Sequence, residues 1–600
     1  MAEQKNKPGC SPEDIALKSF FLGPQSENAV WSHELILHLF KQWYSWRKNL
    51  YAEDGRAITE EDQLSDLFTE RKALFRRELD TLIDRFQNEV PSFSPRYIGH
   101  MVTEISLPAL LGHIITLLHN PNNISGEASR VGLKIEKEAL NALFEMVGMD
   151  HEKGSGHFTS GGTVANIEAA LRARGRLAKW LAVGAIAKEK GIFEGSVCEA
   201  AGMGWVKYDQ LRNEIEAEPE MIRSYHFVRN NPWAVAGKYK RIFGKDFLGP
   251  VMLIPSNKHY SWNKASEITG IGAEGFWPVE TDEMGKLCVD DLQRQLENAK
   301  KASRPVMMVV SVGGTTELGE FDPVDKVQDT LDRWKEVTGQ EIWHHVDMAY
   351  GGFFCSMMNM PSTPDLELNV LHALQAVRRT NSVTIDPHKL GYVPYASGAF
   401  LCRRRREYQY SKINAPYIDF NEGFDPGPQT LEGSRSAAGA VSTWLTSRVI
   451  GFDAAGYGRI LERSVASARL LADLLRKAHP GIHVNPAGES NIITFCVAVD
   501  GEPVSETNKR SLRIYDAFSP RENNEFVVSK TSLEWETYSN LLNNYITGWN
   551  AQKDAGHLIL IRLVLMNPFF DTKETDVSYP DLFVENLLRI LKDEKIAEPA

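Results

Sequence analysis

Cysteine is scarce in this 600-residue chain, which has six: Cys10, Cys198, Cys288, Cys355, Cys402 and Cys496, with no CxxC pair among them. That scarcity excludes a disulfide framework or a zinc ribbon and fits a reducing cytoplasm. Long apolar runs are lacking too. The most apolar segment, 105–118, is broken by Pro108, Gly112 and His113 and is too short to span a bilayer, so it reads as a buried helix and no membrane partner is expected. The first thirty residues are polar, contain Pro8, Pro12 and Pro24, and lack the positive start and apolar core of a signal peptide. Positive charge is in deficit: 67 Lys and Arg against 79 Asp and Glu leave −12, which argues against nucleic acid and for a small molecule as partner. Internal repeats and low-complexity tracts are absent.

What is present is a folded-protein composition, 42% hydrophobic and 24% charged, in a chain long enough for two or three domains around one large core. Residues 30–90 carry apolar side chains at helical spacings, so 1–125 reads as a helical arm that covers either another subunit or the chain's own core. From about 126 to 445, strand-like runs alternate with amphipathic helices, which predicts βαβ units and a mostly parallel sheet. The strands fall at 251–255, 306–312, 342–347 and 382–385, the helices at 164–177, 290–301 and 324–337. Beyond, 446–600 reads as a smaller α+β domain, with strands at 492–497 and 558–565.

Ligands of parallel sheets bind at the strand C-terminal ends, and there the unusual residues gather. In TNSVTIDPHKLGYVPYASG, residues 380–398, Lys389 stands at a strand exit beside His388, flanked by apolar residues that would desolvate it into a nucleophilic amine. FTSGGTVAN, 158–166, opens a helix with Gly162 and Thr163; its free amides and dipole suit a phosphate, although it is neither GxGxxG nor a Walker A loop. SNKHYSWNKA puts His259 at another exit, able to stack on a flat ring, and SVGGTTELGEFDPV supplies a close-approach turn with Thr316. In EIWHHVDMAYGG, alternation places Trp343, His345, Asp347 and Ala349 on one face and His344 on the other. That alternation splits the histidines and disfavours a metal site of His344, His345 and Asp347, so no metal is expected. The cationic run Arg403–Arg406 reads as a solvated or ion-paired turn, and the Pro- and Gly-rich stretch 415–429 as a loop that can act as a lid.

A phosphate-binding helix start, a stacking histidine, a strand aspartate and a strand-exit lysine in one sheet are together what pyridoxal 5'-phosphate requires. A carboxylate about 4 Å from the ring nitrogen, at an effective dielectric of about 20, is worth roughly 4 kcal/mol, or about three pKa units, toward keeping that nitrogen protonated.

With HVDMAYGG, DPHK, SGGT, KHYS and GGTTELG in this order, the sequence resembles the group II pyridoxal-phosphate-dependent amino-acid decarboxylases over residues 90–570. IDPHKLGYVPYASG, LEGSRSAAGA and GHM followed by HNPNN are similar to the bacterial tyrosine decarboxylases within that family. The resemblance implies an α/β, type I aminotransferase-like fold in which Lys389 is the Schiff-base lysine, Asp347 the partner of the ring nitrogen, and His259 the stacking residue and acid/base. It places Gly162, Thr163 and His388 on the phosphate, Ala349 under the ring and Thr316 at the cofactor's polar edge. Tyr97, His100 and Tyr395 would line the substrate pocket, Arg562 in IRLVLMNP would bind a substrate carboxylate, and Tyr417 would return the proton, with Tyr408 and Tyr410 as neighbours. A homodimer with shared active sites follows from the same resemblance. The expected reaction is decarboxylation of an L-amino acid, aromatic and first of all tyrosine, to the amine and carbon dioxide. The alternatives are an aldehyde synthase or carbon–carbon lyase on the same scaffold, an acidic substrate such as glutamate, and a catalytically dead homologue acting as a scaffold.

Overall fold

A computed structural model of the chain describes residues 12–360, 366–409, 416, 420, 425–485, 488–518, 525–572 and 577–593. Helices α1 (Ala29–Leu50) and α2 (Asp66–Phe86) bury none of their side chains, so they do not cover the core of this chain. Helix α3 (Leu107–His119) is buried on one face only, through Leu107, Ala109, Gly112 and Thr116, while Leu117 on the other face is 63% exposed. The expectation of a wholly buried helix there is corrected: the apolar run is longer than its covered side. Ahead of α1, the segment around Phe21 docks on the body. Leu107 N–H donates to the Phe20 carbonyl at 2.7 Å, and the Phe21 ring meets Tyr392 edge-on at 5.4 Å.

The large sheet begins with β1 (Ser155–Thr159), which leads into α4 (Gly162–Glu189). This helix was expected over 164–177 only. It runs on because LAKWLAVGAIAKE continues in good helix formers and meets no stop until Gly191, whose φ of +72° ends the turn. Next come β2 (Val251–Pro255), α5 (Ser261–Thr269), β3 (Phe276–Val279), α6 (Val289–Lys301), β4 (Val306–Val312), α7 (Val324–Thr338), β5 (Trp343–Met348), β6 (Ser382–Ile385) and β7 (Gly398–Cys402). Acidic residues in the first turn of α6 and lysines in its last complement its dipole.

The strands lie in the order β1-β7-β6-β5-β4-β2-β3. From β6 to β3 neighbouring strands are parallel; β7 runs antiparallel to both β6 and β1, inserted between them. Strands β2, β5 and β6 are buried along their whole length, as parallel strands covered by helices on both faces must be, which is why their sequences lack a polar face. A fully buried strand must also satisfy its polar side chains internally. His344 therefore lies 3.0 Å from Ser311 Oγ and 2.9 Å from Gln328 Oε1, on the α7 side, while His345 Nδ1 lies 2.8 Å from Ser382 Oγ on the opposite side. Among the described residues no group of three or more His, Cys, Asp and Glu side chains is arranged to hold a metal ion.

The C-terminal part carries α8 (Arg459–Ala478), β8 (Ile482–Val484), β9 (Ile492–Val497), α9 (Val504–Ala517), β10 (Ser529–Glu534), β11 (His557–Val564) and α10 (Tyr579–Asp593). Its four strands form an antiparallel sheet in the order β10-β11-β9-β8. Phe495, Ile561 and Leu563 on that sheet pack with Leu471 and Leu475 of α8 and with Phe583 and Leu587 of α10. Among the described residues no helix is long and apolar enough to cross a membrane.

Candidate active site

Four strand exits and one helix start meet at a cavity of about 360 Å³. Of the residues expected from sequence, Gly162, Thr163, His259, Thr316, Asp347, Ala349, His388, Lys389 and Tyr395 all line it. Parallel neighbours in register explain the convergence: Val312 pairs with Asp347, and Asp347 with Thr384, so the ends of β4, β5 and β6 lie side by side.

The helix start forms one wall. Gly161 and Gly162 open α4 with no side chain capping it, so its first amides face the cavity unclaimed by a cap. A Cβ on Gly162 would stand 2.8 Å from both Ala349 Cβ and Asp386 Oδ2, too close to be accommodated. Backbone alone fits at this wall, and a phosphate cup needs that closeness.

Asp347 forms another. Its Oδ2 accepts from Asn166 Nδ2 at 2.7 Å and from Trp262 Nε1 at 3.0 Å, and its Oδ1 accepts from Ala349 N–H at 3.3 Å. Three donors fix the carboxylate's orientation. His259 lies across from it. The ring Nδ1 accepts from Ser261 N–H at 3.3 Å and lies 2.9 Å from Ser261 Oγ, which leaves the neutral ring's proton on Nε2. Burial lowers the pKa of His259, with Asp347 opposing. His388 is likewise lowered by burial, and its ring stacks on Tyr395 at 4.1 Å between centroids.

Lys389 departs from the sequence expectation in its surroundings. Its Nζ lies 3.2 Å from Asp386 Oδ2, an ion pair rather than an apolar setting, because the turn after β6 brings residues 386 and 389 together. Oδ1 of Asp386 is buried and has no hydrogen-bond partner among the described residues. A lysine amine and an open helix start in one cup fit a phosphorylated aldehyde: the amine would hold the carbonyl carbon and the amides the phosphate.

Tyr97, His100 and Arg562 do not border this cavity. They form a second group beside β11, where Arg562 Nη1 donates to Ser529 Oγ at 3.2 Å and to Gly99 O at 3.4 Å, and Tyr97 Oη accepts from His100 N–H at 3.4 Å. The guanidinium Nε and Nη2 have no partner among the described residues. Tyr350, which does line the cavity, is close enough to Arg562 to favour its charge and so joins the two groups. Tyr417 and Tyr410 lie outside the described residues, as does most of the stretch 415–429. Tyr408 is described and is fixed: its hydroxyl lies 3.0 Å from His157 Nδ1, and the Arg172 guanidinium sits 4.4 Å over its ring. The run Arg403–Arg406 is ion-paired in part, Arg406 holding Asp209 at 2.6 Å.

Three contributors escaped sequence reasoning. Asn166 stands four residues after Gly162, one helical turn on, so the helical period alone would have aimed it at the strand aspartate. Trp262 had no local signal, because its indole reaches Asp347 from 85 residues away. Asp386 stands before Pro387, where an aspartate has the look of a turn residue alone.

Comparison with known proteins agrees with this geometry. Residues 242–497 match the pyridoxal-dependent decarboxylase conserved domain. The chain is 27% identical to an L-tyrosine decarboxylase of Enterococcus faecalis, covering 95% of this chain and 96% of that one. It is 27% identical to an aspartate 1-decarboxylase of Aliivibrio fischeri over 83% of this chain and 79% of that one. The crystal structure of mouse CSAD in its apo form superposes with a TM-score of 0.61 at 18% identity, covering 91% of each chain, and shares the fold. By its domain match, its full-length relatives and the residues gathered in the cavity, the chain is similar to the pyridoxal-dependent decarboxylases and is a carboxy-lyase that uses pyridoxal 5'-phosphate.

Proposed function

We propose that this enzyme removes the carboxyl group of an aromatic L-amino acid, tyrosine first, giving the amine and carbon dioxide, and that it works in the cytoplasm as a homodimer. The observation that carries the reading is the pairing, across one cavity, of Lys389 with an Asp347 held by three donors. Pyridoxal 5'-phosphate, when bound, withdraws electrons from the bond that breaks at Cα. Lys389 is its attachment point, and Gly162, Thr163 and His388 hold its phosphate. Asp347, positioned by Asn166, Trp262 and the Ala349 amide, would pair with the ring nitrogen and keep a proton there. His259, with its proton on Nε2, would stack on the ring opposite Ala349, and Thr316 would hold its polar edge. Tyr97, His100 and Tyr395 shape the substrate pocket, and Tyr417 delivers the proton to Cα.

Full-length similarity to an L-tyrosine decarboxylase supports the aromatic substrate. A second reading, an acidic amino acid, is favoured by one observation: the buried Arg562 guanidinium has two nitrogens without a partner among the described residues, which fit a side-chain carboxylate as well as an α-carboxylate. The homodimer is supported by α1 and α2, which bury nothing here and expose Trp31, Leu37, Phe75 and Leu79. The test is amine formation across a panel of L-amino acids, with Lys389→Ala beside it. The variant should lose both turnover and the visible absorbance of the loaded enzyme. Turnover retained in Lys389→Ala refutes the site, and aldehyde, ammonia and peroxide as products refute the reaction.

A further inference from the structure

Ser261, the first residue of α5, is fully buried and does not line the cavity, yet it touches two residues that do. Its Oγ lies 2.9 Å from His259 Nδ1 and accepts from Asn166 Nδ2 at 3.0 Å. The same Asn166 nitrogen donates to Asp347 Oδ2 at 2.7 Å. His259, read as the stacking residue, and Asp347, read as the partner of the ring nitrogen, are therefore the two ends of one hydrogen-bonded chain that runs through Ser261 and Asn166.

Each hydrogen in this chain has one place to go. Trp262 Nε1, which can only donate, marks Asp347 Oδ2 as an acceptor, so the Asn166 carboxamide must turn its nitrogen there. That nitrogen carries two hydrogens, one for Oδ2 and one for Ser261 Oγ. His259 Nδ1 accepts from Ser261 N–H at 3.3 Å and so bears no hydrogen; the Ser261 hydroxyl gives its own hydrogen to Nδ1 and takes the one from Asn166 on a lone pair. Asn166 is 1% exposed, and turning its amide over would set its oxygen against Oδ2. With Oδ2 holding two donors, Oδ1 keeps acceptor capacity beyond its long bond from Ala349 N–H at 3.3 Å.

We propose that Asn166 is a positioning residue that sets Asp347 and His259 as one unit, turning Asp347 so that Oδ1 is offered to the ring nitrogen and passing the same constraint to the His259 ring through the Ser261 hydroxyl. A disturbance at the histidine end is then felt at the aspartate end as weaker recognition of the nitrogen. No bond is made or broken in this and no group changes its charge. The inference rests on the pyridoxal phosphate reading and adds to it a mechanical link between two residues that reading treats separately.

The test compares two ligands that differ at one ring atom: pyridoxal 5'-phosphate, and its deaza analogue in which a C–H group replaces the ring nitrogen. Each is titrated into cofactor-stripped enzyme and read by the quenching of tryptophan fluorescence. The ratio of the two dissociation constants measures recognition of the nitrogen alone. In the wild type, pyridoxal 5'-phosphate should bind more tightly than the analogue. Asn166→Ala should cut that ratio by about tenfold, as a charge-assisted hydrogen bond is lost. Ser261→Ala, at a residue outside the cavity lining, should cut it by about threefold, and the double variant should be no worse than Asn166→Ala. A merely structural role would weaken both ligands together and leave the ratio where it was. A wild-type ratio in either single variant overturns the proposal, so either one that folds is enough. Equal constants for the two ligands in the wild type overturn instead the reading of Asp347 as the partner of the ring nitrogen.

Discussion

Replacing Arg562 by methionine should make the ligand-free protein more stable and the enzyme worse, and the opposite signs identify the role. Arg562 is 4% exposed, makes two long hydrogen bonds through Nη1, and has neither an ion pair nor a partner for Nε and Nη2 among the described residues. Each unsatisfied buried nitrogen costs about 1–3 kcal/mol. Burial accordingly lowers the pKa of the group, with Tyr350, Glu317 and Tyr97 opposing from a distance. Methionine keeps most of the stem and removes the whole fork. Set against the two weak bonds that are lost, the gain in the ligand-free state should be about 2 kcal/mol, read as a higher urea midpoint at unchanged m-value. Binding should move the other way. If the fork receives a carboxylate, losing a buried charge-assisted pair costs about 3 kcal/mol, which is a roughly 150-fold rise in the dissociation constant of substrate. A spectral titration of the loaded enzyme measures it. Arg562→Met that unfolds more easily and binds substrate as well as the wild type would refute the reasoning, because the guanidinium would then be a structural charge.

Other outcomes follow from the same geometry. Tyr408→Phe should lose about 1 kcal/mol of stability, for the hydroxyl 3.0 Å from His157, and keep amine formation within twofold, whereas Tyr417→Phe should lose most of it; a matching kcat loss in Tyr408→Phe would reverse that assignment. Glu104 accepts from Gly23 N–H at 3.0 Å, and burial raises its pKa from 4.5 to about 7. Because the folded value lies above the unfolded one, its contribution is fully present below pH 4.5 and is lost as pH rises to about 7, at about 1.4 kcal/mol per unit. Glu104→Gln should therefore gain on the wild type in melting temperature between pH 5 and pH 7.5, and an unchanged difference would show that the carboxyl does not titrate there.

The site was legible where chemistry sits at the end of a strand. Each of SGGT, KHYS, GGTTELG, HVDMAYGG and DPHK couples a hydrophobic run to a turn, and residues pinned to strand ends in one parallel sheet have to converge. Two kinds of feature were not legible. One is pairing between distant segments: nothing in GAFLC marks β7 as the antiparallel strand inserted between β1 and β6. The other is partnership by side chain, as when Trp262 and Asn166 meet on Asp347 from separate helices. The surroundings of Lys389 were misjudged for the same reason, since its local sequence is apolar while its nearest polar atom belongs to a carboxylate one turn back. Composition also misled over α3, where a continuous apolar run covers a single buried face.

The insertion of β7 bears on the order in which the molecule is made. Strand β1, which leads into the helix start at the cavity, pairs among the described residues with β7 alone in the large sheet, and β7 leaves the ribosome some 240 residues later. The register that joins Ser155 to Cys402 and Thr159 to Gly398 must wait for that delivery, because a contact this distant in sequence cannot form on a nascent chain that lacks one partner. Phe21 waits longer still, since it packs against both Tyr392 and Phe569. A growing chain stopped before residue 386 lacks the Asp386, His388 and Lys389 side of the cavity, and one stopped before 398 lacks the strand that pairs with β1, so the cofactor can meet a complete cavity only after both have been made.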